Sequence, residues 1–336
     1  MDNSSEAKLI GCGIDVSAAE LVVACSAGEQ LQQKTFPNKP AGHQALVQWL
    51  QKQPGAVRVC LEATGIYSLD AAIALHAAGI AVAVLNPRTV ARFAETLRRS
   101  KTDAAEAQVL AEYASRMPFQ AWQPPSAKAL ELRAILRYRG ALSKHHVMQQ
   151  NRLSAASGSA TVPACVRREL QRSLRHTQAS MQRLQQAARR LVEEDQQLRD
   201  RFQLLLTIPG VAERSALQLL AELCLLPPDL DVRQWVAHSG LDPRHHCSGS
   251  SVQKPSHISR AGNPHLRRAL YMPALVAVQH DRHLRGFYEQ LQQRHKTKLQ
   301  ALMAVARKIL HAIFGMFRHA TPFDGARLFP ALLPTP

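Results

Sequence analysis

The first hundred or so residues alternate short apolar runs with short amphipathic ones. Lys8–Ser17 (KLIGCGIDVS), Glu20–Ala27 (ELVVACSA) and Gln33–Asn38 (QKTFPN) are brief, apolar or β-prone, and separated by turn residues, which predicts a three-stranded meander. Residues 42–53 then carry Ala45, Leu46, Trp49 and Leu50 at helical spacing. Residues 56–62 read as a short buried strand, 68–79 as a helix and 80–87 as another strand. Helices follow over 88–97 and 103–116, and Pro118, Pro124 and Pro125 mark a linker. The order β-β-β-α-β-α-β-α predicts an α/β domain over residues 1–116.

Past the linker, helical periodicity takes over. Residues 126–155 read as one helix, a Ser/Gly break follows, and 164–206 read as a second. Leu170, Leu174, Met181, Leu184, Ala188, Leu191 and Leu198 recur at mixed three-, four- and seven-residue intervals. That spacing suits an antiparallel helical hairpin or short coiled coil across 117–202. It serves equally as a spacer, a dimerisation element or an RNA contact. A third region, 203–336, opens on LLLTIPGVAERSALQLLAEL, a helix-hairpin-helix-like entry in which Ala212 replaces the usual second glycine. Its Pro-Gly turn fits phosphate contact or plain packing.

Residues 234–270 mix Gly, Ser, Pro, His and Arg and read as a long loop. Gly240, Gly249 and Gly262 there suit close approach to DNA or ordinary turns. Helices over 264–279, 282–294 and 298–318 complete a mostly helical C-terminal domain. The expected fold class is α/β plus all-α.

Charge changes this picture. The 336 residues hold 42 Lys/Arg and 25 Asp/Glu, a formal charge of +17. Residues 1–115 have 10 basic and 11 acidic side chains, whereas 116–336 have 32 and 14. The basic excess lies wholly C-terminal and points to a polyanionic partner. A hydrophobic content of 46% with 20% charged residues argues for a folded chain. Residues 1–27 lack the basic-then-apolar layout of a signal peptide, and no apolar run of roughly 18 residues is evident, so no membrane span is expected. Six cysteines without a C-x-x-C pair suggest neither a disulfide framework nor a thiolate zinc site, and fit a reducing cytoplasm. His238, His245, His246, His257 and His265 are crowded but lack an H-E-x-x-H pattern, and read as facing a phosphate backbone.

Four acids stand out in the first domain. Asp15 interrupts an apolar strand, where an unpaired charge is costly, and Glu62 ends another. Asp103 and Glu106 lie three apart on one helix face. If the first and fourth strands are adjacent at the sheet centre and the last helix crosses their ends, all four converge. Converging carboxylates repel unless a cation neutralises them, which points to Mg²⁺, with Mn²⁺ as the substitute.

These stretches together resemble the insertion-sequence transposases of the IS110 group, relatives of the Piv invertase. IGCGIDVS, CLEATGIYS, KTDAAEAQVLAEYA, TIPGVAERSA and SGLDPRHHCSGSSVQKPSHISRAGNPHLRRALYMPA carry the resemblance, which runs end to end. It implies an N-terminal RNase H-like (RuvC-like) DEDD domain and a serine-containing C-terminal transposase domain. Residue by residue, the acids fall on Asp15, Glu62, Asp103 and Glu106. The last stands where the family has Asp, keeping the charge on a side chain one methylene longer. The family's nucleophilic serine falls on Ser248, with Ser250 and Ser251 as less favoured substitutes.

The resemblance further implies site-specific DNA recombination through a phosphoserine-linked intermediate and guidance by a structured bridge RNA. It also implies donor and target duplex DNA as partners, dimers pairing into tetramers, and a cytoplasmic, nucleoid-associated place in a bacterium. Arg244, His245, His246, Lys254, Arg260, Arg267 and Arg268 surround Ser248 and are the expected nucleic-acid contacts. Two other readings stand beside this one: a RuvC-type hydrolytic nuclease using the acids alone, and an inactive nucleic-acid-binding copy.

Overall fold

A computed structural model describes residues 9–27, 30–63, 65, 67–97, 102–248 and 252–328. The chain divides into two compact units, residues 1–124 and 125–336.

The first unit is a five-stranded sheet with helices on both faces. In chain order it holds β1 (Leu9–Val16), β2 (Glu20–Ala27), β3 (Gln30–Pro37), α1 (Pro40–Gln51), β4 (Ala56–Glu62), α2 (Tyr67–Ala77), β5 (Ala81–Leu85), α3 (Pro87–Leu97) and α4 (Asp103–Arg116). Strand order is β3-β2-β1-β4-β5. The meander is antiparallel, while β4 and β5 run parallel to β1, so β1 and β4 are neighbours at the centre as expected.

Alternation along β1 explains the layering. Ile10, Cys12, Ile14 and Val16 enter the core with Leu46 and Leu50 of α1 and Ala71, Ala72 and Leu75 of α2. The opposite face presents Gly11, Gly13 and Asp15. Here α4 lies directly on the strand: a Cβ at Gly11 would sit 1.9 Å from Ser115 Oγ, and one at Gly13 2.1 Å from the Ala107 carbonyl. The Thr102 side chain caps the start of α4 by accepting from Ala105 N–H (3.2 Å). After α4 the chain returns to the sheet, with Trp122 N–H donating to the Val82 carbonyl (2.7 Å).

One expectation is corrected here. Cys12 and Cys25 face each other in the β1–β2 register and are disulfide-bonded. Their separation of 13 residues, with no paired motif, concealed a contact that only the strand register creates.

The second unit is mostly helical. It holds α5 (Ala127–Ser157), α6 (Ala164–Glu193), α7 (Gln196–Leu206), α8 (Glu213–Leu223), α9 (Val232–Ser239), β6 (Pro243–Ser248), β7 (Val252–Ile258), α10 (Pro264–His280), α11 (Arg282–Gln293), α12 (Lys298–His319) and α13 (Gly325–Leu328). Helices α5 and α6 pair as a long hairpin. The helical periodicity over 164–206 is split where Asp195 caps α7, accepting from Leu198 N–H (2.9 Å). Gly210, in the Pro-Gly turn before α8, packs on α10: an added Cβ would meet the Pro273 carbonyl at 2.8 Å.

Residues 234–270 are not one long loop. They form α9, an antiparallel β6–β7 hairpin and the start of α10. Pairing two polar strands satisfies backbone groups that a loop would leave to water. Gly240 and Gly262 serve this turn: at positive φ, their missing side chains make room for the Ala261 and His238 carbonyls respectively.

Helix α12 departs from the expectation of no long apolar segment. By length and composition it is apolar enough to cross a membrane, but Leu302, Val305, Ala306, Ile309, Leu310, Ile313 and Met316 are buried in this unit's core. At its centre the carboxylate of Glu222 on α8 accepts from Arg137 Nε and Nη2 (3.0 and 2.9 Å) and from Asn263 Nδ2 (2.6 Å).

Substituting Gly13→Ala forces the α4 backbone off β1 and should cost about 1–3 kcal/mol or more. Gly286→Ala, in a helix with nothing within 4 Å of the new methyl, should be neutral or stabilising by up to about 1 kcal/mol. Chemical denaturation of both variants checks the contrast.

Candidate active site

The close approach of α4 to β1 sets the geometry of the acids. Neighbours of an added Cβ shift from Ser115 and Ala111 at Gly11 to Ala111 and Ala107 at Gly13. Two strand residues advance about 6.6 Å, which four helix residues nearly match at about 6 Å. The next step along the strand therefore brings Asp15 level with the first turn of α4, which carries Asp103 and Glu106. On the other side, Ile14 pairs with Leu61 of β4, so Glu62 follows one residue on.

Electrostatics reports the same convergence. The Asp15 carboxyl is pushed up to about 6, first by burial and then by Glu106 and Asp103, with Glu62 adding to the effect; a backbone hydrogen bond at Val16 opposes them. Asp15 thus feels all three other acids. Among the described residues no three His, Cys, Asp or Glu side chains are drawn in tightly enough to hold one ion. The donor set nonetheless suits a hard divalent cation: four carboxylates lie toward one end of the β1–β4 pair, and Asp15 resists ionisation first through burial and then through its acidic neighbours.

Ser248 belongs to the second unit. It ends β6 and pairs in register with Val252, flanking the hairpin tip. Gly249, Ser250 and Ser251 lie outside the described residues. His245, His246 and Lys254 lie in the two hairpin strands, and Arg244 pairs in register with His257. Arg260 adopts φ +54° just beyond β7, and its N–H donates to the Gly240 carbonyl (3.2 Å). Arg267 donates to the Ser239 carbonyl (2.7 Å), tying the end of α9 to α10, while Arg268 is exposed. At the hairpin base, Ser259 Oγ bonds the Asp242 carboxylate and Ser259 N–H donates to the Asp242 carbonyl (2.9 Å).

Sequence reading passed over Glu222, Arg137 and Asn263. It also passed over Lys144 and Arg214, which with Arg268 rim a cavity in this unit. Arg214 and Asn263 lie inside the stretches that carry the family resemblance without standing out there, whereas Arg137, Lys144 and Glu222 sit in no motif. For Arg137 and Lys144 the signal is basic residues recurring at helical spacing on α5.

The raised Asp15 carboxyl fixes the sign of a pH effect. A folded carboxyl titrating near 6, against 3.8 ordinarily, holds a proton that the unfolded chain releases, so its contribution to stability falls as pH rises through that window. Asp15→Asn should therefore melt increasingly above the metal-free wild type as pH goes from below 3.8 to above 6. Added Mg²⁺ should narrow the gap by stabilising the wild type. Thermal melts across pH, with and without Mg²⁺, read both effects; a gap independent of pH contradicts the assignment.

Residues 12–156 match the IS110 DEDD family described as a transposase, and residues 202–289 match the family described as "Transposase IS116/IS110/IS902 family". The pilin gene-inverting protein of Moraxella bovis is 30% identical over 318 residues, covering 93% of this chain and 97% of its own length. That of Moraxella lacunata is 29% identical over the same shares. An IS110 insertion-element protein of Streptomyces coelicolor is 31% identical over 120 residues, 36% of this chain and 29% of its own. The chain belongs to the IS110 family of transposases.

Proposed function

We propose that this chain is a site-specific DNA recombinase of a mobile element, cutting and rejoining strands through a serine nucleophile with an acid-held divalent metal. The observation that carries this reading is the gathering of Asp15, Glu62, Asp103 and Glu106 at one end of the parallel β1–β4 pair, on what we infer is an RNase H-like domain. The gene inversion named in the Moraxella relatives is a rearrangement of the same class, in chains of nearly the same extent.

Bound at these carboxylates, a hard divalent cation such as Mg²⁺ supplies charge neutralisation at a scissile phosphate. Ser248 Oγ attacks phosphorus: the Oγ–P bond forms, the P–O bond to one deoxyribose oxygen breaks, and the serine proton ends on that leaving oxygen. One phosphoester replaces another, so the linkage is conserved for rejoining. The cations at Arg244, Lys254, Arg260 and Arg268 and the histidines 245 and 246 hold the backbone of the DNA or of a guide RNA. Arg267 is already bound to the Ser239 carbonyl and ties the end of α9, just before the hairpin, to α10, which carries Arg268. Synapsis of donor and target calls for a dimer, and two dimers for exchange.

A hydrolytic nuclease is the second reading, favoured by one fact: all four acids share the first compact unit, whereas Ser248 lies in the second. Full-length protein incubated with Mg²⁺, element-derived RNA and labelled donor DNA, then denatured, decides between them. The recombinase reading expects a covalent protein–DNA species that Ser248→Ala and Asp15→Asn each abolish. Cleavage that persists in Ser248→Ala without an adduct overturns it in favour of hydrolysis.

A further inference from the structure

Helices α5, α8 and α10 enclose a cavity of about 540 Å³ in the second unit. Each helix offers it one stripe: Arg137, Gly140 and Lys144 from α5, Arg214 and Gln218 from α8, and His265 and Arg268 from α10. These spacings of three, four and seven residues are those of a single helix face. Four of the lining residues are Lys or Arg and one is acidic. That acid, Glu222, is already engaged by Arg137 and Asn263, and burial, which alone would raise its carboxyl, is outweighed by those bonds.

Lys144, Arg214 and Arg268 form no ion pair among the described residues and stand exposed at the rim. Burial and then the charges of Arg137, Arg268 and Lys144 together push the His265 imidazole down, with Glu222 opposing, so those cations surround a common space. Behind them Arg139 is buried, with Nε and Nη1 lacking hydrogen-bond partners, and its guanidinium is pushed down by burial and by Arg214. The one acidic side chain that lines this space, Glu222, is already engaged, so the rim cations present a net positive face to an anion.

The cavity's form narrows the anion. Leu136, Ala221, Ala269 and Met272 give it an apolar lining. Its volume falls in the roughly 300–1,000 Å³ range of sites that take whole small molecules, well beyond a bare phosphate. Gly140 keeps it open: a Cβ there would meet nothing within 4 Å.

We infer that this cavity is a preformed seat for one nucleotide unit of a nucleic-acid strand, its phosphodiester held among Lys144, Arg214 and Arg268 and its nucleoside against the apolar lining. The inference rests on the reading that the chain acts on nucleic acid, but not on Ser248 chemistry. It goes beyond the hairpin contacts by adding Lys144 and Arg214, which lie far from that motif in sequence.

The test is the salt dependence of binding by the full-length protein to a labelled DNA duplex and, separately, to a labelled RNA hairpin. Each phosphate contact contributes about 0.7–0.9 to the slope of log K against log salt. Three cations on one phosphate predict that Lys144→Gln/Arg214→Gln/Arg268→Gln lowers the slope by about one such contact, with affinity down on the order of ten-fold. Gly140→Gln, which fills the cavity without altering charge, should weaken binding with its melting temperature retained. Loss with DNA alone or RNA alone assigns the strand, and either supports the seat. A fall of about three contacts means separate surface charges and overturns it, as does an unchanged slope or an unaffected Gly140→Gln. A missing serine adduct beside a shifted slope removes the recombinase chemistry and leaves the seat standing; an adduct beside an unshifted slope does the reverse.

Discussion

The backbone of a helix can touch the middle of a strand only where the strand has no side chains to hold it off. Gly11 and Gly13 create that place on the central strand of the sheet, and α4 settles there at a distance no Cβ would permit. Everything proposed about chemistry in the first unit follows from this contact. Lowering α4 onto β1 delivers Asp103 and Glu106 to Asp15, and the parallel pairing of β1 with β4 delivers Glu62. The arrangement is electrostatically unfavourable by itself. The fold holds it because packing of α3 and α4 against the sheet, through Val90, Val109, Leu110 and Ala114, outweighs the repulsion of partly solvated carboxylates.

The second unit works by a different constraint. Its helices meet around Glu222, whose buried carboxylate binds α5 through Arg137 and the cap of α10 through Asn263. Asn263 also accepts from His265 and Leu266 N–H (2.9 and 3.2 Å), so one residue starts α10 and fixes it to α8. The same junction anchors the β6–β7 hairpin, because Asn263 N–H donates to the His238 carbonyl at the end of α9. Ser248 is thus carried on a short ribbon whose base is rigidly held, while the cationic rims of α5, α8 and α10 lie in the same unit.

How much of this was legible depended on whether the signal was local. The order of strands and helices in the first unit follows from alternation and helical spacing in KLIGCGIDVS through LNPRTV, and the helix over 103–116 is found at its expected bounds. Asp15 was legible as a candidate too, because an Asp inside an apolar strand is conspicuous. Features that arise from register or from distant helices were not. The Cys12–Cys25 bond exists because two strands pair in one register. The hairpin over 243–258 is built from polar, Gly- and Ser-rich sequence whose propensity reads as loop, and is held by the Asp242–Ser259 clamp and by two glycines fitted to neighbouring carbonyls. The cavity draws its residues from positions 136 to 272 and has no linear signature.

The central claim is that the acids of α4 share the electrostatic surroundings of Asp15. It is tested most directly by following the Asp15 side-chain carboxyl by NMR in selectively labelled, metal-free protein as pH is varied. A midpoint at about 6 is expected in the wild type, falling part of the way toward 3.8 when Asp103 and Glu106 are replaced together by Asn and Gln, because burial, the largest cause, remains. A wild-type midpoint already near 3.8, or one unmoved by those substitutions, would contradict it.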